Sequence, residues 1–256
     1  MEMKACDRSK RSRTCGRPRR FPPGRMLTLL PVCGVVIVAG CGGAKLEMPA
    51  DVGPSTRLAV SGRLGWMNTE RLRFGDYTAE LVEGARTRGS GVAIGGFERS
   101  RRRQGYVLIV TGPGAKPVRA ECNANVVVKG LNVGRTLGLD DRSSVRCDLR
   151  EDLMATGELW KLALENDGRS PMSGALMLGA DSSVVTGTNR VDGGSMPTTV
   201  TAGYYFTRAG RTVAAVDVLN DGEVWLNTSD VAERLRLAAV AAALLFAEDL
   251  RVPITP

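Results

Sequence analysis

The sequence predicts a mainly β domain, a sandwich or a barrel, that ends in one buried helix and is held at a membrane by its first residue. Three observations carry this. Between residues 57 and 226, short strand-forming runs follow one another with turn residues between them, and none has helical periodicity. Leu237 to Ala247 then reads Leu-Ala-Ala-Val-Ala-Ala-Ala-Leu-Leu-Phe-Ala, apolar on every face. A helix that is apolar all round has to be buried all round. Finally, an uncharged run from Met26 to Gly40 ends at Cys41 and divides the chain in two.

The segment before that cysteine has the pattern of an export signal. Met1 to Arg25 holds nine Lys or Arg against Glu2 and Asp7. A cationic stretch followed by a short apolar one is read by the secretion machinery. Met26 to Gly40 is shorter than the ~20 residues a membrane-spanning helix needs, and Pro31 interrupts it. Its end, Val38-Ala39-Gly40-Cys41, resembles the lipobox of bacterial lipoproteins, in which an aliphatic and two small residues precede the cysteine that is lipidated and becomes the new N-terminus. Small side chains let an extended backbone enter the signal peptidase, and the thiol accepts the diacylglyceryl group. Acyl chains contribute about 0.8 kcal/mol per buried CH2, so a multiply acylated terminus stays anchored. An ordinary cleaved signal with an incidental cysteine is the simpler reading of the same residues. Gly42, Gly43 and Ala44 lack the aspartate that resembles an inner-membrane retention signal in enteric bacteria. The expected address is therefore the cell envelope, lipid-anchored at the outer membrane and facing the periplasm. The expected organisation is a signal over residues 1–40, a lipidated tether over 41–56 and a single domain over 57–256.

Removing the signal changes what composition implies. The whole chain has 35 basic and 27 acidic residues, but from Cys41 onward the balance is 26 to 25. A nearly neutral domain gives no electrostatic reason to expect nucleic acid. Cys6, Cys15 and Cys33 leave with the signal and Cys41 takes the lipid, so Cys122 and Cys147 remain. An oxidising compartment favours a disulfide between them; two reduced buried thiols are the alternative. The chain has no histidine, which removes Ser-His-Asp and Cys-His machinery, His-ligated metals and the usual near-neutral base. No cofactor or metal is expected.

Leu46 to Pro54 reads as a mobile tether. Strands are then expected over 57–62, 71–82, 91–97, 106–110, 120–128, 145–149, 159–164, 175–178, 183–188, 202–207, 212–219 and 223–226. Turns are expected at Gly112-Pro113-Gly114, Asn166-Asp167-Gly168, Asp192-Gly193-Gly194, Ala209-Gly210 and Asp221-Gly222, where Gly and Asn supply positive φ. Residues 136–141 and 150–156 read as a helical turn or long loop. The closing helix begins at a capping-box pattern, Asp230 with Glu233 three residues on. Its eleven apolar residues rise only about 16 Å, too little to cross a bilayer.

A β chain of about twelve strands that closes in a capped, apolar helix resembles the tubby-like barrel shared by tubby proteins and phospholipid scramblases. The likeness covers Arg57 to Asp249 and rests mainly on Thr212 to Asp249. It implies an antiparallel closed barrel with the helix threaded through it. An open sheet or sandwich with one packed helix is the alternative. Tubby proteins bind phosphoinositides through basic side chains, but no such ligand residues map onto this sequence.

Candidate chemistry is sparse. Arg99, Arg101, Arg102 and Arg103 form a run read as an exposed turn between strands; guanidinium groups pair with phosphate, so the run could contact anionic lipid. A solvated turn that discourages edge pairing is the plainer reading. Gly89-Ser90-Gly91 and Gly95-Gly96 fit no phosphate-loop spacing. Asp76, placed inside a strand, and Asp217 are candidate carboxylates. Two function classes follow: a non-enzymatic, membrane-tethered binding or structural module with an envelope protein or lipid as partner, and a lipid-handling or hydrolytic envelope protein using such carboxylates.

Overall fold

The computed structural model describes residues 43–53, 57–63, 70–94, 97–132, 136–151, 158–166, 168, 170–179, 181–198 and 200–249. Cys41 and the run before it, Trp66, Gly95-Gly96, Asp167 and Pro253 lie outside the described residues. The strands are β1 (Arg57–Ser61), β2 (Arg71–Phe74), β3 (Tyr77–Ile94), β4 (Phe97–Thr111), β5 (Val118–Asn132), β6 (Thr136–Glu151), β7 (Leu159–Glu165), β8 (Ser173–Leu178), β9 (Asp181–Thr188), β10 (Gly203–Arg208), β11 (Arg211–Asp217) and β12 (Glu223–Leu226), followed by helix α1 (Val231–Asp249).

Every strand pairs antiparallel with its sequence neighbours, and the ring closes where β1 meets β12, with Arg57 opposite Trp225 and Leu58 opposite Val224. That pairing removes the open-sheet alternative: the chain is a closed twelve-stranded barrel around a buried apolar helix. Alternation makes the wall. In β7, Trp160, Leu162 and Leu164 turn inward while Lys161 and Glu165 face out, because successive strand side chains point to opposite faces. Residues 237–247 of α1 are all 4 % exposed or less. The alanines there, Ala238, Ala239 and Ala241 to Ala243, let large wall residues such as Phe74, Leu108, Tyr204 and Phe206 close on the helix. The Tyr106 hydroxyl, carried into this interior, donates to the Ala243 carbonyl at 2.7 Å.

The helix start differs from the expected box. Asp230 Oδ1 accepts from the Glu233 amide at 2.7 Å, but Glu233 turns its carboxylate to the Thr228 hydroxyl and the Arg208 guanidinium. A charged partner outbids a neutral amide for a carboxylate.

Several expected boundaries move. The run over 71–82 is two strands, because Gly75 at φ 56 opens a two-residue turn and Phe74 pairs with Tyr77. Gly at the first central position is what such a primed turn needs. The run over 91–97 straddles the junction of β3 and β4, and residues 136–141 are strand, part of β6. Ala209-Gly210 is a two-residue turn with positive φ at both residues.

Nor do the described residues between Gly43 and Gly53 hang as a free tether. Leu46 is buried, and its amide donates to Asp217 Oδ2 at 2.9 Å. It also bridges to Val191. Asn220 donates to the Ala44 carbonyl at 2.7 Å, the Tyr205 hydroxyl to the Glu47 carbonyl, and the Thr212 amide to Asp51 Oδ2 at 2.7 Å. The segment is a strap laid along β11. No helix among the described residues is long and apolar enough to cross a membrane.

Candidate functional site

Four strands are far longer than the wall requires: β3 has 18 residues, β4 and β5 have 15 each and β6 has 16. Only one half of each belongs to the barrel. On β4 the buried residues are Gln104, Tyr106, Leu108 and Val110; on β5 they are Val118, Ala120 and Cys122; on β6, Ser143, Val145, Cys147 and Leu149. The remaining halves continue in register as a four-stranded blade past the core. From Gln104 to Phe97 the rise is about 23 Å. Register shifts in β3 between Leu81 and Arg86 let the blade twist out of the ring at its root, and a further shift where β6 passes Lys129/Gly130 of β5 lies within the blade.

Pairing fixes which side chains share a face of the blade. Ile94 is opposite Phe97, Val92 opposite Arg99, Ser90 opposite Arg101 and Arg88 opposite Arg103. All eight are exposed, and the three at the tip markedly so: Val92 is 62 %, Ile94 74 % and Phe97 61 % exposed. The outer face therefore runs from an apolar tip into a basic field. Backbone register continues the rows across β5, with Phe97 opposite Leu131, Arg99 opposite Lys129 and Arg101 opposite Val127. Arg101 Nε donates to Asn125 Oδ1 at 3.2 Å.

This corrects the reading of the arginine run. It is no turn but the middle of β4, hydrogen-bonded on both sides. Backbone ladders are indifferent to side-chain charge, so two paired neighbours hold arginines in a strand. The pleat then splits the run: Arg99, Arg101 and Arg103 take the outer face and Arg102 the other. Successive members are about 7 Å apart and the three span about 13 Å, too wide to converge on one phosphate. Arg88 stands directly opposite Arg103, and Arg99 opposite Lys129, placements of like charge that destabilise a sheet.

The other candidates lie apart. A fully antiparallel ring has two ends: odd-numbered strands and α1 run toward the blade end, even-numbered ones away from it. Asp76 is exposed in the β2–β3 turn at the opposite end, where α1 enters. Asp217 is buried at the blade end, and its Oδ1 accepts from the Leu219 amide at 2.7 Å while Oδ2 takes Leu46. Burial raises its carboxyl above the usual range despite those two donors. Glu223, its cross-strand partner, goes the other way: burial alone would raise it, but hydrogen bonds from Arg57 and Lys45 outweigh that and hold it low. The two candidate carboxylates are not brought together.

Cys122 and Cys147 pair across β5 and β6, buried, with Cα atoms 4.1 Å apart and sulfurs bonded. They staple the barrel wall near the blade's root. Among the described residues, two clefts bear on the blade root and the start of α1. One, of about 660 Å3, lies at the blade root between Asn125, Arg142, Glu165, Asn166 and Ser170. The other, of about 260 Å3, lies beside the first turn of α1. There Glu233 is held by Arg208 and Thr228, and Arg236 by Glu151 and by the Trp160 ring, 4.2 Å from its centroid. Neither cleft is lined by the helix beyond Arg236. Among the described residues, no three His, Cys, Asp or Glu side chains are grouped to hold a metal.

Sequence reasoning missed the apolar tip. Its signal was there: Val92, Ile94, Phe97, Arg99, Arg101 and Arg103 keep period two on either side of Gly95-Gly96, which is a hairpin pattern. No protein-family model matches the chain, and no curated protein and no solved structure matches it either.

Proposed function

We propose that this chain is a lipid-anchored protein of the bacterial cell envelope, held at the membrane through Cys41, whose barrel is a non-enzymatic scaffold that carries a contact element outward. The observation that carries the reading is the filled interior. Residues 237–247 occupy the space where a barrel of this kind would hold a ligand, so binding falls to the outer surface, and the blade is its largest feature. The likeness to the tubby-like barrel belongs to this proposal; it rests on the closed ring around a carboxy-terminal helix and brings no ligand with it. The hydrolytic alternative draws no support from Asp76 and Asp217, which sit at opposite ends.

The test is the intact mass of the protein purified from its own membrane, with and without Cys41→Ala. A mass matching residues 41–256 plus a lipidated cysteine, lost on substitution, is the expected outcome. A soluble protein beginning at another residue would overturn the anchor.

A further inference from the structure

We infer that the blade is a second, reversible membrane contact: its tip enters the headgroup–acyl boundary and its outer face lies on anionic lipid headgroups. This deepens the proposed function and takes the orientation of the barrel from it. Three independent observations converge. The tip exposes Ile94, Phe97 and Val92 at more than 60 % each, whereas 43 apolar residues are buried among the described residues. Immediately behind it, the same face carries Arg88, Arg99, Arg101 and Arg103, spaced to meet several headgroups rather than one anion. An apolar edge backed by cations is how a protein lies in the interface of an anionic bilayer.

The third observation is position. β3 and β5 run toward the blade end, and so does β11, whose far turn receives the strap: Asn220 holds Ala44 and Asp217 holds Leu46 there. Gly43 lies against the Asn220 side chain. Cys41 precedes Gly43 by two residues, a reach of at most about 7 Å. A lipid on Cys41 therefore presents the blade end, and not the opposite one, to the membrane. Each arginine near an anionic surface gains about fivefold in binding, and a partner anion relieves the like-charge opposition of Arg88 and Arg103.

The blade also has open edges, β3 beyond Leu81 and β6 before Ser143, where a second copy could pair. Charged edges resist that, and edge pairing would give the exposed tip no role.

The experiment uses residues 41–256 carrying Cys41→Ala, so that neither a lipid nor the cationic, apolar segment before Cys41 assists, sedimented with vesicles of phosphatidylcholine alone or mixed with phosphatidylglycerol. Binding to the mixed vesicles, weakened by salt, is expected, with little to phosphatidylcholine. Replacing Arg99, Arg101 and Arg103 by Gln lowers it about a hundredfold, and Ile94→Asn with Phe97→Asn at least tenfold. All five positions are exposed, so urea midpoints stay within error of the parent and loss of fold is excluded as the cause. Failure to bind mixed vesicles, or a tip variant that binds like the parent, overturns the inference. So does a lipid-free dimer that the tip variant dissolves, which would assign the tip to a second copy. The mass measurement on Cys41 is independent of this result, so the two proposals fail separately.

Discussion

The barrel wall and the blade are built from the same four strands, yet they obey different rules. Along β4, Tyr106, Leu108 and Val110 meet α1 and vanish from solvent, whereas Arg102 and Ser100, on the same face a few residues earlier, meet nothing comparable. The hydrogen-bond ladder of β4 with β5 is continuous across that boundary; the hydrophobic reward is not. A strand can thus be specified by its neighbours' backbones alone, with its side chains left free for contact. The closed half carries stability, the open half presents a surface.

The sharpest way to break this comparison is to hollow the wall and the blade in parallel. Leu244→Ala, in the helix, is expected to cost 2–5 kcal/mol by urea denaturation, since the cavity adds to the lost burial. Val92→Ala on the blade should stay within about 0.5 kcal/mol. Comparable losses at both sites would mean the blade has a packed partner.

Next in size is the staple at the blade root. Cys122 and Cys147 are 25 residues apart, and opening that loop costs roughly 3 kcal/mol on the chain-entropy account. Reduction should lower the urea midpoint accordingly, and Cys122→Ser with Cys147→Ser should match the reduced protein. A reductant-insensitive midpoint in the parent would show that the thiols are not joined in the purified protein.

The smallest effect concerns the strap. Asp217 has its carboxyl raised by burial above the usual 3.8. The neutral form is therefore favoured in the fold, and the stability it contributes is present below that value and lost as pH rises through the raised one. Glu223, held below its usual 4.5, contributes above that value and loses its contribution as pH falls. Asp217→Asn should remove the decline on the alkaline side of the acid range, leaving only the loss on acidification. Its amide can accept from only one of Leu46 and Leu219, costing about 1 kcal/mol at pH 4. Urea midpoints between about pH 4 and pH 8 check the sign; an unchanged profile would remove Asp217 from the strap's energetics.

What was legible in the sequence follows the same division. Turn chemistry and period-two runs placed most of the wall strands, the total of twelve agreeing because the run 71–82 holds two strands while 91–97 is shared between β3 and β4, and the all-apolar stretch at 237–247 placed the helix inside, because both signals are local. The blade was illegible because its inner face lacks the apolar period: Gly89, Gly91, Ser100 and Arg102 look like loop, and charge at Arg99 to Arg103 looked like a turn. The strap was illegible for a different reason. Leu46 and Asp217 are 171 residues apart, and nothing around either reveals that one needs the other. Residues 136–141 misled similarly, since Gly138, Asp140 and Asp141 are poor strand formers that pairing with β5 overrides.

The core of this protein is its last element, and the seam of its wall joins its first strand to its last. A chain made from the amino terminus has therefore produced all twelve strands before it has anything to wrap around. Ring closure between Arg57 and Trp225 and the arrival of residues 237–247 come together, after nearly all of the chain has emerged. Contacts so distant in sequence make folding slow, and a late core leaves the wall strands with nothing to close on until the helix arrives.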